Sequence, residues 1–244
     1  MRTVRLLIGF DGTRYEGWQS QRKDRTIQEI FEKILLRLFK ERTDLVSSSR
    51  TDSGVHALGL VAHFKTASRL SDRKIKDALN FYLPRDILVR AAKTVDNRFH
   101  ARFSAKSKLY RYDIWRSATR PLREGPYALW HPGPLDLPLM RKASRHLLGT
   151  HDFSAFQDGG DQGRGAVRTI RSIRIAAKGP LVRIEVKGNG FLRHMVRIIV
   201  GTLIEVGRRK LPPEALPGII ASKKRPSAGP TAKSHGLTLV KVQY

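Results

Sequence analysis

The sequence predicts an α+β fold built from two ferredoxin-like halves, each running β-α-β-β-α-β, with antiparallel sheets joined edge to edge around a basic central cleft. Three observations predict it. Short β-branched runs alternate with amphipathic helical runs in that order over residues 1–103. The same order returns over residues 104–244, without any repeat of the sequence itself. Lys and Arg number 47 against 21 Asp and Glu, a formal charge of +26 spread along the 244 residues.

The N-terminal half opens with TVRLLIGF (3–10), apolar and β-branched as a buried strand is, and stops at the turn residues DGT. In TIQEIFEKILLRLFK (26–40), Ile27, Ile30, Phe31, Ile34, Leu35 and Leu38 recur on one helical face. Thr26 with Glu29 reads as a capping box, the hydroxyl reaching forward and the carboxylate back to unpaired amides. LVSSS (45–49) and ALGLVAHFKT (57–66) read as strands. Ser71 caps a helix over 71–83 that Pro84 stops, and DILVRAAKTV (86–95) is the fourth strand.

In the second half KSKLYRYDIWR (106–116) alternates as a strand does, placing Tyr110, Tyr112 and Ile114 on one side. Asp136 caps and Gly149 stops a helix over 137–148. A Gly-Pro turn joins strands 167–178 and 181–188. A helix over 191–207 buries Met195, Ile198, Ile199, Leu203 and Val206, with Arg193 and Arg197 four apart on an offset face. The closing strand is 236–244. Two segments read as mobile, phosphate-seeking loops: glycine-rich QDGGDQGRGA (157–166) and basic KKRPSAGPTAKS (223–234).

Composition narrows the function. A chain this positive repels itself unless a polyanion binds, and nucleic acid is the leading partner because phosphate contacts release counterions. With no cysteine there is no disulfide, thiolate zinc site or cysteine nucleophile. No apolar run approaches the ~20 residues that span a bilayer, and the first residues read as a strand, not a signal peptide. The expectation is a cytoplasmic protein with no membrane association.

The chemistry centres on RTDSGVHA (50–57), a turn between two strands. It presents one carboxylate, Asp52, beside Arg50, and a nearby cation keeps an acid ionised in a dry pocket. The ordinary alternative is an aspartate bonding its own turn amides. His56 is either a base or metal ligand, or a packing and hydrogen-bonding residue; no second His or acid stands at metal-ligand spacing.

At these residues the sequence resembles a known family. SSRTDSGVHALGLVAHF (48–64) is similar to the signature of the TruA-type tRNA pseudouridine synthases, G-R-T-D-A-G-V-H-A-x-G-Q-V-x-x-F. FDGTRYEGWQSQ (10–21), TIQEIFEKIL, FHARFSAKSKLYRY (99–112), HDFSAF (151–156), VRTI (167–170), GNGFLRHMVRIIVGTLIEVG (188–207) and AGPTAKSHGLTLVKVQY (228–244) resemble further family segments in order. The sequence departs from the pattern where Ser47, Ser48 and Ser49 replace Gly-Ala-Gly, Ser53 replaces Ala, and Leu60 replaces Gln.

The resemblance implies the pseudouridine synthase fold and isomerisation of uridine to pseudouridine at neighbouring positions of the tRNA anticodon stem-loop. It implies a homodimer, no cofactor and no metal. Asp52 is then the catalytic aspartate. Tyr110 stacks on the target base, Arg197 pairs with Asp52, Arg50 fills the gap left by the flipped nucleotide, and Leu237 walls the uracil pocket. A carboxylate so placed can attack the base, attack the ribose or take a ribose proton. Two rivals differ in their needs. A non-catalytic RNA-binding protein keeps the basic cleft without the Arg50–Asp52–Arg197 set, and a metal-dependent nuclease needs clustered acids.

Overall fold

The structure, a computed structural model, describes residues 1–19, 25–159 and 165–244. The elements run β1 (Arg2–Phe10), α1 (Ile27–Phe39), β2 (Val46–Ser47), β3 (His56–Thr66), α2 (Asp72–Tyr82), β4 (Ile87–Val95), β5 (Ser107–Arg116), β6 (Leu129–His131), α3 (Leu137–Arg145), β7 (Gly149–Asp152), β8 (Val167–Lys178), β9 (Leu181–Gly188), α4 (Met195–Gly207), α5 (Ala215–Ser222) and β10 (Leu237–Gln243). They form two compact units: Met1–Lys106 with Thr238–Tyr244, and Ser107–Leu237. The expected division at 103 and 104 put the closing strand in the C-terminal half; residues 238–244 cluster instead with the N-terminal unit.

In the first unit β1 lies antiparallel between β3 and β4. The far edge of β3 is shared: Ala62 and His63 pair antiparallel with Ser47 and Val46, while His56 and Ala57 pair parallel with Thr238 and Leu239. The order β4-β1-β3-β2 is the split βαβ arrangement expected from the sequence. Alternate β1 residues Val4, Leu6 and Ile8 are fully buried, as are Phe31 and Leu35 of α1 and Ile75 and Leu79 of α2. Each such side chain contributes about 1.5–3 kcal/mol of hydrophobic stabilisation. β10 comes so close to β3 that a Cβ on Gly59 would stand 2.5 Å from the Val240 carbonyl oxygen.

The helix caps divide between expectation and correction. Ser71 accepts from the Lys74 N–H and Asp136 from the Leu139 N–H. The capping box on α1 does not form. The Ile27 and Gln28 amides are taken by the carbonyls of Gly17 and Trp18, Thr26 is fully buried without a capping bond, and the Glu29 carboxylate lies 2.6 Å from Lys33 Nζ. Backbone from a neighbouring loop does the work assigned to the threonine.

The second unit carries the antiparallel order β5-β9-β8-β7, with β6 parallel on the other edge of β5. α3 packs on α4 and β8. The five α4 residues expected in the core are fully buried. β6, β7 and α5 have no counterpart in the sequence reading. The α4 helix begins at Met195, not 191, because His194 takes a left-handed conformation with φ 59°. Arg193 therefore precedes the helix and does not share a helical face with Arg197. The 223–234 segment, expected to be a mobile loop, is tied down. Arg225 donates to the Ala228 and Gly229 carbonyls and to Thr231 Oγ1, and the Gly229 N–H donates to Thr202 Oγ1. Of the glycine-rich 157–166 segment, residues 160–164 lie outside the described residues, as do 20–24 of the opening motif.

The loop after β1 (residues 11–18) is anchored by two aromatic rings. Trp18, 1% exposed, lies between Phe10 and Phe31 with ring centroids 6.3 and 6.1 Å away. Tyr15, 2% exposed, donates its hydroxyl to Asp86 Oδ1 at 2.6 Å, and Arg14 donates to Oδ2 of the same carboxylate. Burial and the Asp86 carboxylate push the Tyr15 phenol up to about 12. Burial alone would raise Asp86, but the bonds from Tyr15 and Arg14 outweigh it and hold the acid below its ordinary range. A depressed acid adds stability that is present above its unfolded pKa, about 3.9, and lost as pH falls through the folded value. Replacing Tyr15 by Phe removes one bond to a charged acceptor, so urea unfolding at pH 7 should show a loss of about 1.5–3 kcal/mol. The difference from the parent should shrink as pH drops below about 4.

Candidate active site

The Asp52 turn is held by main chain on both sides. The Trp18 N–H donates to the Thr51 carbonyl at 3.1 Å, the Gly54 N–H to the Tyr15 carbonyl at 3.2 Å, and the Val55 N–H to the Asp52 carbonyl at 3.1 Å. Main-chain carbonyls thus hold the amides of Trp18, Gly54 and Val55. Two glycines permit the approach. A Cβ on Gly12 would lie 2.1 Å from the Val55 oxygen. Gly17, at φ +88°, would put one 2.4 Å from the Thr51 oxygen. Gly54 also has a positive φ, 75°.

On this frame Thr51 and Val55 are buried, Asp52 is half-buried, and Arg50 is exposed. Arg50 and Asp52 thus share one turn, with Arg50 outermost. His56 is 4% exposed and its Nδ1 accepts the Gly12 N–H at 3.1 Å, which ties the 11–18 loop to the start of β3. Of the two roles left open for His56, this bond shows the hydrogen-bonding one. Among the described residues no three of His, Cys, Asp and Glu are grouped to hold a metal ion.

The serines that depart from the family pattern fit the fold. Ser48 donates its amide to Val61 and receives the Val61 N–H on its hydroxyl, and the Ser47 hydroxyl donates to the Ser49 carbonyl. The Ser53 hydroxyl faces the Tyr15 carbonyl at 3.4 Å. Leu60 pairs with Ile8 in the core and is fully buried, an environment that suits leucine.

In the second unit Tyr110 sits on β5, 7% exposed, edge-on to Phe191 with ring centroids 5.3 Å apart at 89°. Tyr112, two residues on, is fully buried and donates its hydroxyl to the Lys233 carbonyl at 2.7 Å. Burial pushes its phenol far above the ordinary range. Arg197, in the first turn of α4, donates Nε to the Ala232 carbonyl at 2.7 Å and receives the Ala232 N–H on its own carbonyl at 3.1 Å. A Cβ on Gly236 would stand 2.7 Å from the Tyr112 ring. The 232–236 segment is therefore moulded on Tyr112 and Arg197, and it delivers Leu237, 6% exposed, to the start of β10.

Arg197, Tyr112 and the approach to Leu237 are brought together in one unit, as are Arg50 and Asp52 in the other. Sequence reasoning missed Phe191, which sets the Tyr110 ring, and Gly12, Tyr15 and Gly17, which set the turn. The glycine spacing in FDGTRYEGW is the signal that could have marked the last three.

Comparison with known proteins places the chain in a family. A family model described as tRNA pseudouridine synthase matches residues 7–104 and 143–244. A protein of Acetivibrio thermocellus named tRNA pseudouridine synthase A is 46% identical over 246 residues, covering 100% of both chains. A protein of the same name from Geobacillus kaustophilus is 44% identical over 99% of this chain and 94% of its own. One from Geotalea uraniireducens is 46% identical over the full length of both. The chain belongs to the tRNA pseudouridine synthase family.

Proposed function

We propose that the protein isomerises uridine to pseudouridine in the anticodon stem-loop of tRNA, with Asp52 as the catalytic carboxylate, acting as a cytoplasmic homodimer without a cofactor. The observation that carries the reading is the Asp52 turn, half-buried and pinned by the 11–18 loop, in a family whose members carry this name. The reaction exchanges the N1–C1′ glycosidic bond for a C5–C1′ bond and releases the C5 hydrogen to water. No electrons leave and no water is consumed. One carboxylate at the sugar is sufficient.

The target base must first leave its stack, at a cost of a few kcal/mol. The Tyr110 ring stacks on the extruded uracil, which offsets about 1–3 kcal/mol of that cost. Leu237 closes the pocket wall. The exposed Arg50 takes the place of the flipped nucleotide, and Arg197 offsets the negative charge of Asp52 among RNA phosphates. The formal charge of +26 favours binding of the whole tRNA.

Incubating unmodified tRNA labelled with tritium at C5 of uridine, in EDTA, tests the reading. Tritium release supports it. Metal-dependent strand cleavage, or retained RNA with no exchange, points instead to a nuclease or a binding protein. Asp52→Asn should bring release to background while tRNA affinity stays within a few-fold, and turnover by that variant would remove Asp52 from its role. Gly17→Ala should shift the turn that carries Asp52. Since a displacement of about 1 Å can cost ~10²-fold in rate, kcat should fall by about that factor with little change in tRNA affinity.

A further inference from the structure

The loop after β4 holds an aromatic ring outward. Phe103 is 77% exposed, yet its position is fixed. Its ring stacks on His100 with centroids 4.3 Å apart and planes 29° apart. His100 is fixed in turn: its Nδ1 accepts the N–H groups of both Arg102 and Phe103 at 3.2 Å. The loop is closed by the Ser104 N–H on the His100 carbonyl and the His100 N–H on the Ser104 hydroxyl.

Ala101, between them, is fully buried and locked from two sides. Its N–H donates to His63 Nδ1 at 3.1 Å and its carbonyl accepts the Tyr244 hydroxyl at 2.8 Å. His63 meets His100 edge-on at 5.1 Å. Three rings, His63, His100 and Phe103, thus step from the sheet to solvent.

A single surface phenylalanine is commonplace and needs no explanation. This one differs in being preorganised and in its surroundings. The Arg102 guanidinium lies over the ring, 5.6 Å from its centroid, and Lys106 of the same loop is exposed. A rigid aromatic face amid cations matches a nucleobase and its phosphate, since aromatic stacking and backbone attraction together hold unpaired nucleotides.

We infer that the exposed ring of Phe103 is a stacking platform for an unpaired base of the RNA substrate, a contact additional to the Asp52 turn; this rests on tRNA being the substrate. The base continues the His100–Phe103 stack, and Arg102 meets its phosphate.

The test uses the full chain and an unmodified tRNA transcript. Phe103→Ala should weaken tRNA binding about 5-fold to 100-fold, the range expected for one lost base stack. The single-turnover rate at saturating tRNA should be unchanged. Phe103→Trp should bind as the parent does, and its added fluorescence should be quenched by tRNA. Unchanged affinity of the alanine variant overturns the inference. So does a dissociated oligomer with unaltered RNA affinity, which would make the ring a contact between copies of this chain. If a thermal melt shows the alanine variant unfolded, quenching in the tryptophan variant decides: absence of quenching overturns the platform. RNA that binds the parent without isomerisation defeats the enzymatic reading and leaves the platform standing.

Discussion

No Cβ fits at Gly12 or Gly17, where the 12–17 loop meets the backbone of residues 51–55. That steric condition governs the site. Gly12 and Gly17 let two loops lie back to back, and two main-chain bonds across them, with a third inside the turn, fix the backbone of Asp52. The condition is served from three directions. Trp18 is held between Phe10 and Phe31, Tyr15 is held on Asp86, and the start of α1 takes its capping carbonyls from Gly17 and Trp18. One loop therefore joins the end of β1, the first turn of α1, the head of β4 and the turn that carries the acid. The fold leaves the aspartate little conformational freedom to lose when a substrate arrives, which is the physical content of preorganisation.

Many of the acids in this basic chain are structural. Asp86 holds Tyr15 and Arg14, Asp136 caps α3 and meets Arg209, Asp113 binds Arg183 through two bonds, and Asp152 takes Ser154 and Lys223. Each neutralises a local cation and sits within hydrogen-bonded structure. Other exposed cations, Arg50, Arg102 and Lys106 among them, stand on loops.

Elements with strong periodicity were legible in the sequence. β1, α1, β3, α2, β4, β5, α3, β8, β9 and β10 fall within a few residues of expectation, because alternation and the 3.6-residue period report burial directly. Three kinds of feature were not legible. The start of α4 depends on His194 adopting a left-handed backbone, which a histidine reveals only through its neighbours. The cap of α1 comes from a loop ten residues upstream, so a local motif misassigned it. Short β6 and β7 and the eight-residue α5 exist by tertiary pairing and packing, with too little periodicity of their own. At the site, the motif RTD marked the acid, but the glycines that hold it lie some forty residues away, beyond what local pattern conveys.

The parallel pairing of β10 with the head of β3 has a consequence for synthesis. Thr238 and Leu239 bind the strand that leaves the Asp52 turn, although more than 180 residues of chain separate them from it in order of translation. The head of β3, at His56 and Ala57, thus waits for its parallel partner until the second unit has been made and the 237–243 segment has cleared the ribosome. A nascent chain broken off before that segment carries Asp52 but not the strand that pairs beside its turn. Pairing along the head of β3 is therefore finished only after the second unit has been made.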